Sequence, residues 1–259
     1  MTSMVQRPRV AAGSASSDGF YFRSAAAMAI VIVAGFGMQW AMGRSTFAAR
    51  PLVHVHALVF MGWVAIFVTQ SWLAQRQRTE LHRKLGQLAA LWVLLMVVFG
   101  FWLTVDVIQR GTTPFFFQPQ YFLIANPANI LCFAIIVAAA FRLRRRPEWH
   151  MRLQVCATAA ILGPAFGRLL PMPLLTPYAW DVACLCGLIV PGIGALRDRR
   201  RDGFVHPAWW WGMAGIVAAV PIAWLVAFAP PGAALYAWVT AGHPGAAVSG
   251  LAFASPPPT

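Results

Sequence analysis

Seven stretches of this chain are long and apolar enough to cross a lipid bilayer as α-helices. A transmembrane helix needs about 20 predominantly apolar residues. Hydrophobic residues make up 59% of the chain and charged residues only 10%, whereas a soluble domain carries about 25% charged residues. The sequence therefore predicts an all-α, polytopic membrane helix bundle with about seven transmembrane helices. The predicted spans are residues 24–43, 52–74, 83–106, 121–143, 151–173, 178–196 and 207–229.

The two ends of the chain differ in composition from the predicted transmembrane domain, residues 23–229. Residues 1–22 are polar and rich in Ala, Ser and Gly, and residues 230–259 are rich in Ala, Gly and Pro and carry no charge. We expect both segments to be disordered, the first in the cytoplasm and the second outside. The first span follows residues 1–22 at full membrane length, which predicts an anchor rather than a cleaved signal peptide.

The basic residues fall almost entirely on one side of the predicted bundle. If the loop after the second span is cytoplasmic, all but four of the 20 basic residues lie on that side. The positive-inside rule then predicts a multi-pass protein of the bacterial inner membrane, with a cytoplasmic N-terminus and an external C-terminus. The net charge of +13 is explained by this topology and by attraction to anionic lipid headgroups, so nucleic acid is not an expected partner. The four exceptions are Arg44, Arg50, Arg110 and Arg168.

Five of the six histidines stand at the amino-terminal end of a predicted span. A helix N-terminus disfavours imidazolium by roughly 0.3–1 kcal/mol, and neutral imidazole is the form that binds metal. His82, in LHRKL, and His150, in WHMRL, open two spans at one depth near the cytoplasmic face, and His206, in VHPAW, is a looser third copy. We predict that His82 and His150 bind a metal or a haem, with His206 as a supporting group or replacement ligand. The alternative is that each histidine only hydrogen-bonds headgroups or loop carbonyls.

Helical spacing predicts which way these histidines face. The stripe from His56 at 3.6-residue spacing includes Gln70, and polar groups within spans face the protein interior, so His56 is predicted to point inward. The stripe from His82 is rich in small residues, which leave room for a flat macrocycle or let two helices pack closely. Its members are Gly86, Ala89, Val93, Met96, Gly100 and Thr104.

A second candidate site lies at the outer face, around Arg168. One interpretation is an ion pair between Arg168 and either Asp106 or Asp181, the only acidic residues on that side. The other is an anion or a quinone head group held by Arg168 near other polar groups. Those groups are His56, Tyr121, Asn126 and Asn129. On the inner side the acidic residues stand in basic runs and are predicted to be solvated; they are Glu80, Glu148, Asp198 and Asp202.

Prolines predict where helices start and where they bend. Three of them stand at or just before the first turn of a span, where a missing N–H costs nothing; these are Pro51, Pro147 and Pro207. Interior prolines should kink spans 5, 6 and 7, and kinks open cavities that freed carbonyls can line. These are Pro164, Pro191 and Pro221.

The stretch at residues 54–86, HVHALVFMGWVAIFVTQSWLAQRQRTELHRKLG, resembles two related families. A bacterial family of predicted membrane proteins of unknown function has a histidine opening one span, a basic loop, HR-x-LG and later a His–Arg–Met-like segment, which EWHMRL matches here. The transmembrane cytochrome b family of ascorbate-dependent and ferric reductases has a similar order of His, Met, Trp, Arg and His. The residues that look similar here are His56, Met61, Trp63, Arg76 and His82, and the resemblance covers spans 2 to 5.

The cytochrome resemblance implies a particular set of haem ligands. In that family alternate core helices pair their histidines on a haem, one haem near each face. Carried over, His82 and His150 form the inner pair and His56 occupies one outer position. The partner of His56 should open span 4, but that region reads QYFLIANPAN and has no histidine. One haem or none therefore fits better than a two-haem chain across the membrane.

Three classes of function remain open at this point. The leading hypothesis is an inner-membrane redox protein with one b-type haem near the cytoplasmic face, exchanging electrons with a quinone or a partner protein. The second is a transporter or a small-molecule or metal-binding membrane protein, with histidines as proton-sensitive gates and Arg168 as an anion contact. The third is an assembly subunit without its own cofactor. The chain has no Gly-rich phosphate loop, Ser-centred nucleophile elbow or His-Glu-x-x-His motif, so enzymatic activity is undecided.

Overall fold

The computed structural model describes residues 19–254, and over these residues the chain is helical with no strand. The predicted all-α class is confirmed. Most of the segment expected to be disordered at the N-terminus, and the last five residues, lie outside the described residues. The helices are α1 (Phe20–Ala41), α2 (Pro51–Gln75), α3 (Thr79–Arg110), α4 (Pro119–Arg142), α5 (Pro147–Ala160), α6 (Gly163–Leu169), α7 (Ala179–Cys186), α8 (Ile189–Asp202), α9 (Pro207–Ala227) and α10 (Pro230–Thr240), with short 3₁₀ helices at Met172–Leu175 and Pro244–Ala247.

Six helical segments within residues 19–254 are long and apolar enough to cross a membrane, where the sequence predicts seven. They are α1, α2, α3, α4, the consecutive pair α7 and α8, and α9. The remaining predicted span, 151–173, is divided between α5 and α6. Pro164 has no N–H to donate to the carbonyl of Ala160, where α5 ends. The break between α7 and α8 has the same cause. Pro191 has no N–H to donate to the carbonyl of Gly187.

Three other prolines begin helices as predicted, and a fourth lies inside a helix that continues past it. Pro51, Pro147 and Pro207 are each the first residue of a helix, so the three predicted helix starts are confirmed. Pro221 lies inside α9, which continues through it to Ala227. An interior proline in a membrane helix is tolerated when neighbouring helices satisfy the freed carbonyl.

The short helix α5 is the centre of the bundle. Eight of its 14 residues are buried, and α4, α9, α8 and α1 all pack against it. Its second half contains small side chains, among them Ala157, Ala159 and Ala160, which are fully buried. Small residues let helix backbones approach closely, which is how membrane helices associate without a hydrophobic driving force.

Helix α3 has one face buried in the bundle and one face exposed. Its buried face includes Ala89, Val93, Met96, Gly100 and Thr104, which is the stripe that the sequence predicts from His82. The other face exposes large apolar side chains at helical spacing, as expected of a helix that contacts lipid. Those side chains are Leu91, Leu94, Val98 and Trp102.

One end of the bundle, which we call the basic end, carries the arginine-rich connections at 76–78, 142–146 and 199–203. Helices α1, α3, α5 and α9 begin at this end, and α2, α4 and α8 finish there. The α5–α6 pair reaches the opposite end, because the Gln39 amide near the end of α1 donates to the carbonyl of Arg168 in α6, at 3.1 Å.

The structure differs from the expectation of a disordered tail after residue 229. Helix α10 and the following 3₁₀ helix pack on α3 and α4 at the end opposite the basic end. The Tyr236 hydroxyl donates to the carbonyls of Gly245 and Val248, at 3.3 and 3.0 Å. The Gln120 backbone N–H donates to Gly250, at 2.8 Å. These contacts could not be predicted from composition, because a segment rich in Ala, Gly and Pro is typical of disorder.

Candidate functional site

His82 and His150 face each other at the basic end of the bundle. Their ring centroids are 6.3 Å apart and their planes are nearly perpendicular, at 85°. Each residue lies in the first turn of its helix, α3 or α5. Helix α3 packs mainly on α2 and α4, whereas α5 packs on α4, α8, α9 and α1. The two rings therefore approach each other across a space between helices.

The Nδ1 atoms of both imidazoles contact backbone carbonyls. His82 Nδ1 is 3.3 Å from the carbonyl oxygen of Gln70, and His150 Nδ1 is 2.9 Å from that of Ala140. A carbonyl oxygen can only accept, so Nδ1 carries the hydrogen in both rings. In the neutral imidazole the lone pair is then on Nε2. Metal-ligating histidines have this arrangement, in which the second nitrogen donates to a carbonyl and orients the ring.

Both rings line one cavity of about 730 Å³, a size typical of cofactor and ligand sites. The cavity lies between α1, α2, α3 and α5, with the end of α4 at its rim. Gly86 and Ala89, from the predicted small stripe of α3, form part of the wall, and Trp63 and Phe67 of α2 form an apolar part.

Within residues 19–254, the charged side chains that line this cavity all have one sign. They are Arg83, Arg144 and Arg145, with no Asp or Glu among the described lining residues, and the three arginines are exposed at the basic end. Guanidinium groups bind carboxylates and phosphates through charge-assisted hydrogen bonds. The rim therefore favours a ligand with an anionic group and disfavours a cation.

Two imidazoles are too few for a conventional protein metal site. Structural zinc takes four protein ligands and catalytic zinc three. Within residues 19–254 there is no group of three or more His, Cys, Asp or Glu side chains that could hold an ion. A guest held by His82 and His150 must therefore supply most of its own coordination.

His206, predicted as a supporting or replacement ligand, does not line this cavity. It is the N-cap of α9, where its Nδ1 accepts from the N–H of Ala208 at 3.1 Å. Its ring packs edge-on against Trp149, with centroids 5.2 Å apart. Partial burial, followed by the charge of Arg152, lowers the pKa of His206. The structure thus gives this imidazole a capping role, which the sequence did not distinguish from ligation.

The polar residues predicted at the outer face have different hydrogen-bond partners. The Tyr121 hydroxyl donates to the buried Asp181, at 2.5 Å, and the Trp224 Nε1–H donates to the same carboxylate, at 3.1 Å. The Asn126 amide instead donates to the hydroxyl of Thr104, at 2.7 Å. Tyr121 and Asn126 therefore belong to two separate hydrogen-bonded groups.

His56 and Arg168 are likewise engaged by their own neighbours. His56 points inward, as predicted, with Nδ1 3.3 Å from the carbonyl of Phe99 and its ring stacked on Phe60 at 4.2 Å. The Arg168 guanidinium lies 4.0 Å from the ring centroid of Phe36 and donates to the carbonyl of Pro164, at 2.8 Å. These contacts account for both side chains without a shared ligand.

The ion pair expected for Arg168 is also not formed. Asp106 pairs with Arg50 and Arg110, and the partners of Asp181 are a phenol and an indole. Within residues 19–254, no carboxylate lies within salt-bridge distance of Arg168. Asp106 lies near the end of α3 and Asp181 near the start of α7. Their partners depend on which helices are neighbours.

Asp198 was predicted to be solvated, and the structure buries it with 1% of the residue exposed. Its Oδ2 accepts from Arg152 Nε at 2.7 Å and from Trp209 Nε1 at 2.8 Å. The charge run RDRRRD suggested a solvated face. A better signal was available, because Asp198 continues the buried stripe of α8, formed by Pro191, Gly194 and Ala195, at helical spacing.

Taken together, the cavity offers two imidazole side chains, a partly apolar interior and a cationic rim. This combination can hold a planar, anionic cofactor by axial coordination from two sides. Comparison of the chain with protein-family models, with curated proteins and with solved structures found no match.

Proposed function

We propose that this protein binds one b-type haem between His82 and His150 and acts as a redox protein of the lipid bilayer. The observation that carries the proposal is the pair of facing imidazoles, each with Nδ1 held by a backbone carbonyl and Nε2 available. A bound haem supplies one-electron redox chemistry. The electron-exchanging partner would be a quinone or a second redox protein.

The spacing of the rings fits two axial ligands on one ion. A metal–nitrogen bond of roughly 2.0–2.1 Å places the centroid of a coordinating imidazole about 3.2 Å from the ion. Two imidazoles on opposite sides would then have centroids about 6.4 Å apart. The observed separation is 6.3 Å.

Charge and ligand number favour haem over a bare metal ion. Haem requires only axial ligands from the protein, and its porphyrin ring and propionates carry negative charge. Among residues 19–254, no carboxylate lines the cavity to balance a bare dication, and burying an uncompensated charge is costly. Arg83, Arg144 and Arg145 at the rim are suited to bind the two propionate carboxylates.

The remaining residues of the cavity would set the properties of the cofactor. The carbonyls of Gln70 and Ala140 orient the imidazoles and raise their basicity through Nδ1. Trp63 and Phe67 would supply an apolar surface beside the cofactor, and burial is one determinant of a haem's reduction potential. Gly86 leaves space beside His82 for the macrocycle.

We further propose that the bundle lies in a bacterial inner membrane with its basic end in the cytoplasm. The positive-inside rule supports this orientation, because the connections at 76–78, 142–146 and 199–203 are rich in arginine. Anionic lipid headgroups would contact the same arginines. Helices α5 and α6 would complete a seventh crossing and leave the C-terminus outside.

Visible absorption spectra of the full chain in detergent test the haem assignment. We expect a Soret band that shifts on reduction with dithionite and that is lost in His82→Ala and in His150→Ala. The matched control is His206→Ala, which removes an imidazole at the same end of the bundle but outside the cavity and should keep the band. A colourless preparation from a host supplied with iron and haem precursor would refute the proposal.

A further inference from the structure

Three unpaired polar atoms mark a second feature of the cavity. Within residues 19–254, five buried side-chain polar atoms have no hydrogen-bond partner. Three of the five belong to residues that line this one cavity: Tyr21 OH, Gln70 Oε1 and Gln154 Oε1. Buried polar groups in proteins are nearly always hydrogen-bonded. Their concentration in one cavity indicates a ligand that provides the missing partners.

The orientation of Gln70 identifies the group that it presents. Its Nε2 donates to the carbonyl of His82, at 3.1 Å, which leaves Oε1 as the free atom. An amide oxygen can only accept. Gln70 Oε1 therefore needs a hydrogen-bond donor in the cavity that this residue lines.

Gln154 carries the second unpaired amide oxygen of the cavity, Oε1. It lies one helical turn after His150 on α5, so both side chains are on the same face of that helix. The cavity lining therefore contains two unpaired amide oxygens, from α2 and α5, together with its two imidazoles.

The charges and rings of the cavity restrict the class of donor. Ammonium and guanidinium groups are disfavoured by the three arginines at the rim. The donor must then be a neutral O–H or N–H group. The neighbouring side chains of Trp63 and Phe67 favour a flat apolar body, because aromatic rings pack well on one another.

We propose that Gln70 and Gln154 form a binding site for the head group of a hydroquinone beside the histidine pair. The two phenolic hydroxyls donate to the two glutamine oxygens, and the ring packs against the aromatic side chains of α2. This inference deepens the proposed function, because it gives the quinone partner a site, but the binding itself does not depend on haem.

Calorimetric titration of the full chain in detergent, without oxygen, tests the site with tetramethylhydroquinone as the probe. The matched ligand is its dimethyl ether, which has the same ring but no donors. We expect the ether to bind at least about tenfold more weakly, the loss expected for hydrogen bonds to buried acceptors. Equal binding of the two compounds, or binding of neither, would overturn the inference.

Variants locate the site on the protein. Gln154→Met and Gln70→Met should each weaken binding of the hydroquinone by about tenfold, and the corresponding alanine variants serve as a second test if either methionine variant folds poorly. The control is Gln109→Met, near the other end of α3 and outside the cavity, which should bind like the unaltered chain. Equal affinity in all variants would refute the assignment.

The absorption spectrum of the same samples separates this inference from the proposed function. Hydroquinone binding in a protein without haem would support the glutamine site and refute the haem proposal. A haem spectrum without hydroquinone binding would support the haem proposal and refute the glutamine site.

Discussion

At the residue scale, the tautomer of two imidazoles decides what the cavity can bind. A carbonyl at Nδ1 leaves the Nε2 lone pair of His82 and of His150 free to coordinate. His206 uses Nδ1 as an acceptor instead and caps a helix. The three histidines look alike in the sequence, since each opens a span beside basic residues, and only the neighbour of Nδ1 separates ligand from cap.

The buried pair of Arg152 and Asp198 leads to a stability prediction. Asp198→Ala should lower the free energy of unfolding by about 3–5 kcal/mol, because it leaves a guanidinium buried without its counter-ion. Both side chains are almost fully buried, at 4% and 1% exposure. Denaturant titration in detergent would measure the change. The control is Asp202→Ala, whose partner Arg201 is partly exposed and whose loss should cost less than about 1 kcal/mol.

The lowered pKa of His206 predicts that the stability of the protein depends on pH. Burial and the charge of Arg152 place its pKa below the ordinary value, so the unfolded chain, with a histidine pKa of about 6.5, binds the proton more tightly than the folded protein. The stability that neutral His206 contributes to the fold is fully present above about pH 6.5. It is lost as the pH falls toward the pKa that this imidazole has in the folded protein.

Melting temperatures at a series of pH values would measure this contribution. The variant His206→Asn keeps a good N-cap residue without a titrating group. Its melting temperature should fall less than that of the unaltered chain between pH 7.5 and 5.5. Identical pH profiles would contradict the capping role of the neutral imidazole.

At the scale of single helices, proline positions and helical spacing predicted much of the structure. Helices begin at Pro51, Pro147 and Pro207 as expected, and the stripe from His82 is the buried face of α3. These features depend on local sequence. The break in span 5 after Ala160 follows from Pro164, which was predicted to kink that span. The packing of α10 was not predicted, because it depends on contacts with distant helices.

The small face of α3 leads to a prediction about cofactor binding. Gly86→Leu should abolish haem binding while the fold is retained, because the new side chain would fill the space beside His82. A Cβ at this position meets only Gln70 Nε2, at 3.3 Å, so little strain is expected. Soret absorbance per chain measures the effect. Gly37→Leu on α1, where a Cβ would meet nothing within 4 Å, should retain the haem.

At the scale of the whole molecule, the order of helices in the bundle brings the site together. The sequence suggested that His82 and His150 share a depth, but it could not show that they face one another. Which membrane helices pack together depends on the close packing of small residues rather than on hydrophobicity. Such contacts join distant segments, as where Gly35 on α1 packs against Ala165 on α6, and periodicity does not reveal them.

The proposed orientation predicts the location of the C-terminus. Seven crossings place the segment that follows α9 outside the cytoplasm, whereas six crossings, with α5 and α6 not spanning, would return it to the cytoplasm. A C-terminal fusion to a phosphatase that folds only outside should be active, and a fusion truncated at Arg146 should be inactive. The opposite pattern would contradict the proposed topology.

The central claim is that two imidazoles, from α3 and α5, coordinate one iron. Low-temperature electron paramagnetic resonance of the oxidised, haem-loaded protein tests it most directly. The account predicts a low-spin ferric signal from a six-coordinate haem, converted to high spin or lost when either His82 or His150 is replaced by alanine. A high-spin signal that neither substitution changes, or no haem binding at all, would contradict the account.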